Sequence, residues 1–146
     1  MKDLYSNISP VQAVVPVKVL DATTPADAEI DLKGYNSAVV EISCGAKVAG
    51  DTGTITVSLQ HADDDGTGVA GSYTNVAAAD VQGVTPATGV ILTLASAAVA
   101  AAIHKVGYIG GKRFIKTIVA EADSNATGTI MSINVIKGDP ELGPSA

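Results

Sequence analysis

The sequence contains few aromatic residues and a single cysteine. Aromatic side chains make up 3% of its 146 residues, tryptophan is absent, and Phe114 is the only phenylalanine. Because Cys44 has no second cysteine to pair with, an intramolecular disulfide is excluded. Cys44 follows the apolar segment AVVEIS, so we expect it to be buried as a small hydrophobic residue. Sugar-binding faces usually need aromatic platforms, so this composition argues against glycan binding.

Basic residues are also scarce, because 9 lysines and arginines stand against 15 acidic residues, for a net charge of −6. A chain this acidic repels phosphate backbones, so we expect no nucleic-acid partner. The longest apolar run, residues 90–103, is interrupted by Thr93 and Ser96 and is too short for a typical membrane span. The first ten residues lack the apolar core of a signal peptide. We therefore expect a soluble protein with no export signal and no membrane partner.

Short stretches of alternating apolar and polar residues predict β-strands. In residues 53–61, Ile55, Val57 and Leu59 point to one face and the intervening polar residues to the other. Turn-forming segments rich in Gly, Pro, Asn and Asp separate such stretches, which is typical of sandwiches and barrels. We predict an all-β fold, a single-domain antiparallel β-sandwich. The predicted strands are 11–20, 28–32, 37–43, 53–61, 73–77, 90–94, 105–109, 113–121 and 128–137.

The predicted organisation is a sandwich with a flexible arm at each end. We expect residues 1–10 to form an N-terminal arm, 11–137 the domain, and 138–146 a C-terminal tail poor in apolar groups. Pro16 in the first predicted strand favours an edge position or a bulge. The alanine-rich residues 94–103 are too short for a stable isolated helix, so we predict a loop with one helical turn.

The run Asp63, Asp64, Asp65 and Gly66 loosely imitates the start of a calcium-binding loop. Position twelve of such a loop is here Thr74, where a bidentate glutamate is required. We therefore predict a polar hairpin tip in which Asp and Gly provide the turn, and no metal or cofactor. Cation binding by the 63–65 loop is the alternative that the sequence leaves open.

Catalytic signatures are absent from the sequence. His61 and His104 are the only histidines, and neither a G-x-S-x-G nor an H-E-x-x-H motif is present. We expect both histidines to be exposed or at strand ends, and we expect the protein not to be an enzyme.

Gly110 and Gly111 precede Lys112 and Arg113, which belong to the densest basic group in the chain. The glycine pair predicts a two-residue hairpin turn with positive φ angles. Two interpretations of the basic residues remain open. Their side chains face solvent or acidic neighbours of the same chain, or the cationic tip contacts an acidic partner protein.

Four segments resemble small proteins of tailed phages and prophages. They are MKDLYSNI at 1–8, DLKGYNSA at 31–38, LQHADDDG at 59–66 and KVGYIGGKRFI at 105–115, and they occur in the same order. Such proteins are encoded among head-assembly genes. The resemblance implies a structural virion protein made in the bacterial host cytoplasm, namely a decoration or cement protein of jelly-roll-like fold on the capsid exterior. No catalytic residue comes with it.

For such a protein we expect the major capsid protein as partner and a homotrimer as oligomeric state. The expected contacts are Lys2, Leu4 and Tyr5 in the N-terminal arm, Lys112 and Arg113 at the basic tip, and the C-terminal tail. The alternative is a tail or host-surface-binding sandwich module of the virion that uses the loop at 62–68.

Overall fold

The computed structural model describes residues 3–20, 25, 27–47, 50–95, 99–122 and 127–141. These residues form ten β-strands and two short 3₁₀ turns, at Tyr5–Asn7 and Ala78–Asp80, and no α-helix occurs among them. Within the same residues, no helix is long and apolar enough to cross a membrane. The strands are β1 (Ile8–Val19), β2 (Glu29–Asp31), β3 (Tyr35–Cys44), β4 (Thr54–Ala62), β5 (Thr74–Asn75), β6 (Val81–Gln82), β7 (Val90–Leu94), β8 (Ala102–Tyr108), β9 (Phe114–Ala122) and β10 (Thr129–Pro140).

Two antiparallel sheets pack face to face. The first sheet has the strand order β1-β10-β3-β8-β6, and the second has the order β2-β9-β4-β5, with β7 also paired to β4. Most consecutive strands lie in different sheets, as in jelly-roll proteins. The predicted all-β sandwich is therefore confirmed. The short strand β6 was not predicted.

The core lies between the sheets and is built from aliphatic side chains at alternate positions. Ile55, Val57 and Leu59 of β4 are fully buried, as the alternation predicted. Met131, Ile133 and Val135 of β10 are buried against them. Each such side chain contributes about 1.5–3 kcal/mol when removed from water, so many modest contributions replace a few large aromatic ones.

Strand β1 forms an edge of the first sheet, as Pro16 predicted. Its pairing with β10 shifts register between Gln12 and Val14 and again between Val14 and Val17. Pro10 and Pro16 are both exposed. Since proline cannot donate a backbone hydrogen bond, both residues make this edge a poor template for a further strand.

Both predicted arms contribute residues to the first sheet. Ile8 of β1 pairs with Gly138 of β10, and Pro140 pairs with Tyr35 of β3. Strand β10 lies between β1 and β3, so neighbours on both sides hold its backbone despite its glycine and proline. Residues 1–2, including Lys2, and 142–146 lie outside the described residues.

Cys44 ends β3 and is buried, as expected. Burial raises the pKa of its thiol to about 11. The helical turn predicted within 94–103 is not found at 94–95 or 99–101, and residues 96–98 lie outside the described residues. Strand β8 instead begins at Ala102, because this segment pairs with β3 as far as Cys44.

Candidate functional site

The segment between β8 and β9 crosses from one sheet to the other. Strand β8 pairs with β3 and β6, whereas β9 pairs with β4 and β2. The predicted hairpin turn is therefore wrong, and neither Gly110 nor Gly111 has a positive φ. Gly110 is needed for a different reason, because a Cβ atom there would lie 2.7 Å from the Tyr108 hydroxyl oxygen. At Gly111 a Cβ atom would meet no atom within 4 Å.

The Tyr108 side chain lies over this crossover, and its hydroxyl group is hydrogen-bonded to the crossover backbone. The Lys112 N–H donates to the Tyr108 hydroxyl at 3.2 Å, and the Lys112 carbonyl lies 3.3 Å from the same oxygen. The hydroxyl also lies 3.1 Å from Nδ1 of His61 on β4. Burial raises the pKa of Tyr108 to about 12, so the hydroxyl keeps its proton at neutral pH.

His61 lies at the end of β4, as expected, but it is buried and not exposed. Its ring packs edge-to-face on Tyr108, with the ring centroids 5.9 Å apart. Nε2 of His61 lies 3.9 Å from a carboxylate oxygen of Asp80. Burial lowers the pKa of His61, although Asp80 opposes that shift. The histidine is therefore neutral at pH 7 and belongs to the packing of the crossover.

Arg113 binds two acidic side chains of its own chain. Its Nε and Nη2 atoms donate to the carboxylate oxygens of Asp31 at 2.8 and 2.6 Å, and Nη1 donates to Asp64. The guanidinium also lies 4.7 Å from the centre of the Phe114 ring. The hydrogen bonds from Arg113 lower the pKa of Asp31. Arg113 therefore fits the first of the two interpretations of the basic tip, in which the basic side chain faces acidic neighbours of the same chain.

The 63–65 loop is a tight polar turn whose carboxylates are already engaged. Asp64 accepts the N–H groups of Gly66 and Gly68 at 2.8 and 2.9 Å, and these bonds lower its pKa. Asp65 accepts from the backbone and hydroxyl of Thr67. Such turns explain why Asp and Gly are concentrated in this loop. Across the described ranges no group of three His, Cys, Asp or Glu residues is placed to hold a metal ion.

A cleft of about 380 Å³ opens beside the crossover. Among the residues that the structure describes, its basic lining residues are Lys33, Lys112 and Arg113, and its acidic one is Glu141. The Lys112 ammonium lies 3.6 Å from Asp63 and 3.2 Å from the hydroxyl of Thr74. The sequence predicted Lys112 and Arg113 as contact residues but did not predict Lys33. The one feature that could have pointed to Lys33 is its position in the DLKGYNSA segment.

The described part of the N-terminal arm, residues 3–10, lies at the same end of the sandwich as the cleft. Ile8 pairs with Gly138, and Gly138 pairs with Ser37, which lines the cleft. With neighbouring strands about 4.8 Å apart, Ile8 lies roughly 10 Å from Ser37. Leu4 and Tyr5, just before β1, are 68% and 89% exposed, and Ile109 of the cleft is 54% exposed. We call this end of the sandwich, which carries Leu4, Tyr5, Ile109, Lys33 and Lys112, the docking end.

No protein-family model matches this chain, and no curated protein matches its sequence. Solved structures that are similar in part include the following three. The SPBc2 prophage-derived protein YomS is 9% identical, with 90% of this chain and 94% of that chain covered and a TM-score of 0.48. The CBM22-1–GH10 modules of Clostridium thermocellum xylanase 10B, complexed with xylohexaose, are 14% identical (97% and 28% covered, TM-score 0.44). A Bacillus endospore appendage protein, from a family of disulfide-linked pili, is 16% identical (92% and 89% covered, TM-score 0.36).

Proposed function

We propose that this chain is a structural, non-enzymatic virion protein that binds the outside of a tailed-phage capsid and stabilises it. The four segments that resemble phage head-region proteins support this assignment. The observation that carries it is the presence of exposed apolar and cationic side chains at the same end of the sandwich. The expected contact residues Leu4, Tyr5 and Lys112 all belong to this docking end.

The docking end has the composition of a protein–protein contact. Tyrosine is enriched in the fully buried centre of interfaces, and Tyr5 together with Leu4 and Ile109 provides apolar groups for such a centre. Lys33 and Lys112 provide a polar rim that selects an acidic partner surface. Arg113, which is paired with Asp31 and Asp64, holds the crossover in place and lines the cleft beside Lys112, so it remains a proposed contact residue.

The partner in this proposal is the major capsid protein, and the oligomer is a trimer. On a symmetric shell many identical weak contacts act together, so each copy can use a small interface. A trimer matches the threefold positions that such shells present. Clamping adjacent capsomers from outside would stabilise the shell against the packaged genome.

The direct test is co-sedimentation of the purified protein with undecorated shells of the phage that encodes it. We expect the double variant Leu4→Ala, Tyr5→Ala to lose shell binding while its circular dichroism spectrum is unchanged. Ile130→Ala is the matched control, because Ile130 is 60% exposed but lies at the opposite end of β10. Equal binding by both variants and the wild type contradicts the role of the docking end.

Stoichiometry in purified particles tests the location. Quantitative mass spectrometry should find a ratio to the major capsid protein near one to one, or another large symmetric fraction. A handful of copies would instead indicate the tail or host-surface-binding module. Absence from the particle would contradict the virion assignment altogether.

A further inference from the structure

His61 contacts both groups that hold the crossover backbone. Its Nδ1 atom lies 3.1 Å from the Tyr108 hydroxyl, and this hydroxyl accepts the N–H of Lys112 at 3.2 Å. Its Nε2 atom lies 3.9 Å from a carboxylate oxygen of Asp80. The backbone carbonyl of Asp80 in turn accepts the N–H groups of residues 109 and 110 at 2.8 and 3.1 Å. One imidazole ring therefore lies between the two attachments of the crossover.

Titratable groups face the His61 ring from four elements. They are Asp63 in the loop after β4, Asp80 before β6, Tyr108 at the end of β8 and Lys112 in the crossover. The neighbours of His61 on β5 and β9, Thr74 and Ile115, are uncharged. Burial is the largest influence on the pKa of His61 and lowers it, the Lys112 charge adds to this effect, and the two carboxylates oppose it.

Protonation of the ring changes both of its contacts. Neutral His61 can accept the single hydroxyl proton of Tyr108 at Nδ1, whereas the imidazolium donates from both nitrogens. The charged ring cannot be hydrated in place, because His61 is only 5% exposed. Asp80 compensates poorly, since its nearest oxygen is 3.9 Å away and already accepts the N–H of Ala77 at 2.8 Å. A state in which the crossover moves away and water reaches the ring therefore binds the proton more tightly, and acid shifts the equilibrium toward it.

We propose that His61 is a pH-sensitive switch of the docking end, in which the neutral ring keeps the crossover closed and protonation opens it. The crossover carries Ile109 and Lys112, two residues of the docking end. Opening it in mild acid displaces both side chains from the surface that they form with the rest of the sandwich. The inference rests on the proposed function and names its regulation, since acid then weakens binding to the shell.

Amide hydrogen exchange of the ¹⁵N-labelled full-length protein measures the opening. The readout is the protection factor, in which the intrinsic pH dependence of exchange is removed. We expect the protection of the Lys112 amide and of amides 109 and 110 to fall by about three- to tenfold from pH 7.5 to pH 5.5, since uptake of one proton at an exposed histidine of pKa about 6.5 limits the change to about tenfold. These amides should be less protected than that of Ile133 in the core, because a local opening costs less than global unfolding.

Three variants assign the effect to His61. His61→Gln has no titrating ring, so the protection of the crossover amides should no longer depend on pH in this range. His104→Gln, the matched control, should behave as the wild type does. Asp80→Asn keeps the ring but removes the carboxylate that favours its charged form, so the fall in protection should begin at lower pH. This variant tests the switch even if His61→Gln folds poorly.

Several outcomes overturn the inference. Crossover amides whose protection equals that of Ile133 at every pH show that the crossover opens only when the whole protein unfolds. Shell co-sedimentation at pH 7.5 and pH 5.5 tests the consequence for binding, and the wild type should bind less in acid while His61→Gln binds equally at both. An equal acid loss in both proteins assigns the effect to the shell and contradicts the switch. Shell binding with pH-independent protection contradicts the switch alone, and acid-sensitive protection without shell binding at pH 7.5 contradicts the proposed function alone.

Discussion

Arg113 and Asp31 form a two-pronged ion pair between residues 82 positions apart in the sequence, with N–O distances of 2.8 and 2.6 Å. Asp31 ends β2, a strand of three residues that pairs with β9 at the end of the second sheet's strand order. The remaining guanidinium nitrogen reaches Asp64 in the polar turn after β4. One side chain therefore connects the crossover, the short strand and the polar turn, and its parallel hydrogen bonds fix their relative orientation.

We expect Arg113→Gln to lower the melting temperature at pH 7, because three segments lose their common cation. The pairing lowers the pKa of Asp31, and a carboxylate with a depressed folded pKa stabilises the protein above its unfolded pKa of about 3.9. This stabilisation is lost as the pH falls through the folded pKa. The difference in melting temperature between wild type and variant should therefore shrink below about pH 4. Scanning fluorimetry from pH 7 to pH 2 measures it.

Lys18→Gln is the control for the loss of one positive charge, since Lys18 is exposed on β1. We expect its effect on the melting temperature to be small at every pH. If the difference in melting temperature between the wild type and Arg113→Gln stays constant from pH 7 to pH 2, the ion pair with Asp31 does not stabilise the fold.

The two adjacent glycines of the crossover should respond differently to alanine. In Gly110→Ala the new methyl group would lie 2.7 Å from the Tyr108 hydroxyl oxygen, so the ring must move away from Lys112 and His61. We expect a loss of about 1–3 kcal/mol, the cost of overpacking or of unsatisfied buried polar groups. Gly111→Ala meets no atom and should be neutral or stabilising by up to about 1 kcal/mol. Urea unfolding of both variants measures these changes. Equal losses at both positions would instead support a turn that needs positive φ angles.

The strands could be predicted from the sequence because the alternation of side chains along a strand is a local property. Residues 53–61 show this, since Ile55, Val57 and Leu59 are buried as predicted. Pairing partners are not local. A Gly-Gly pair between two strands has the local appearance of a hairpin, yet β8 lies between β3 and β6, and β9 lies in the other sheet. For the same reason the sequence did not predict that Gly138 and Pro140 belong to the first sheet. Their places there depend on pairing with neighbouring strands.

The sequence predicted those parts of the candidate site that depend on neighbouring residues, and it did not predict those that depend on strand pairing. Leu4 and Tyr5, and likewise Lys112 and Arg113, are adjacent in sequence and could be named directly. Lys33 could not, because only the topology brings the turn between β2 and β3 to the crossover. The burial of His61 depends on Tyr108, which is 47 positions away.

Two isoleucines on opposite faces of β10 test the assignment of the core. Ile133 is fully buried between the sheets, and Ile130 is 60% exposed. We expect Ile133→Ala to lower the free energy of unfolding by about 2–5 kcal/mol, the usual cost of a buried cavity. Ile130→Ala should change it by less than about 0.5 kcal/mol. Urea denaturation with a common m-value gives both numbers. A large loss at Ile130 would show that this residue is buried in solution, for example between two copies of the chain.

His61 should titrate below its unfolded pKa of about 6.5, because burial disfavours the charged imidazolium. Since the folded pKa is the lower one, the neutral histidine stabilises the fold above pH 6.5, and this stabilisation is lost as the pH falls through the folded value. The chemical shift of its ring proton against pH measures the midpoint, with the signal assigned by comparison with His104→Gln. Asp80→Asn should lower the midpoint further, because it removes the carboxylate 3.9 Å away that favours protonation. A wild-type midpoint above 6.5 would show that Asp80 outweighs burial, and the crossover would then be strengthened by acid.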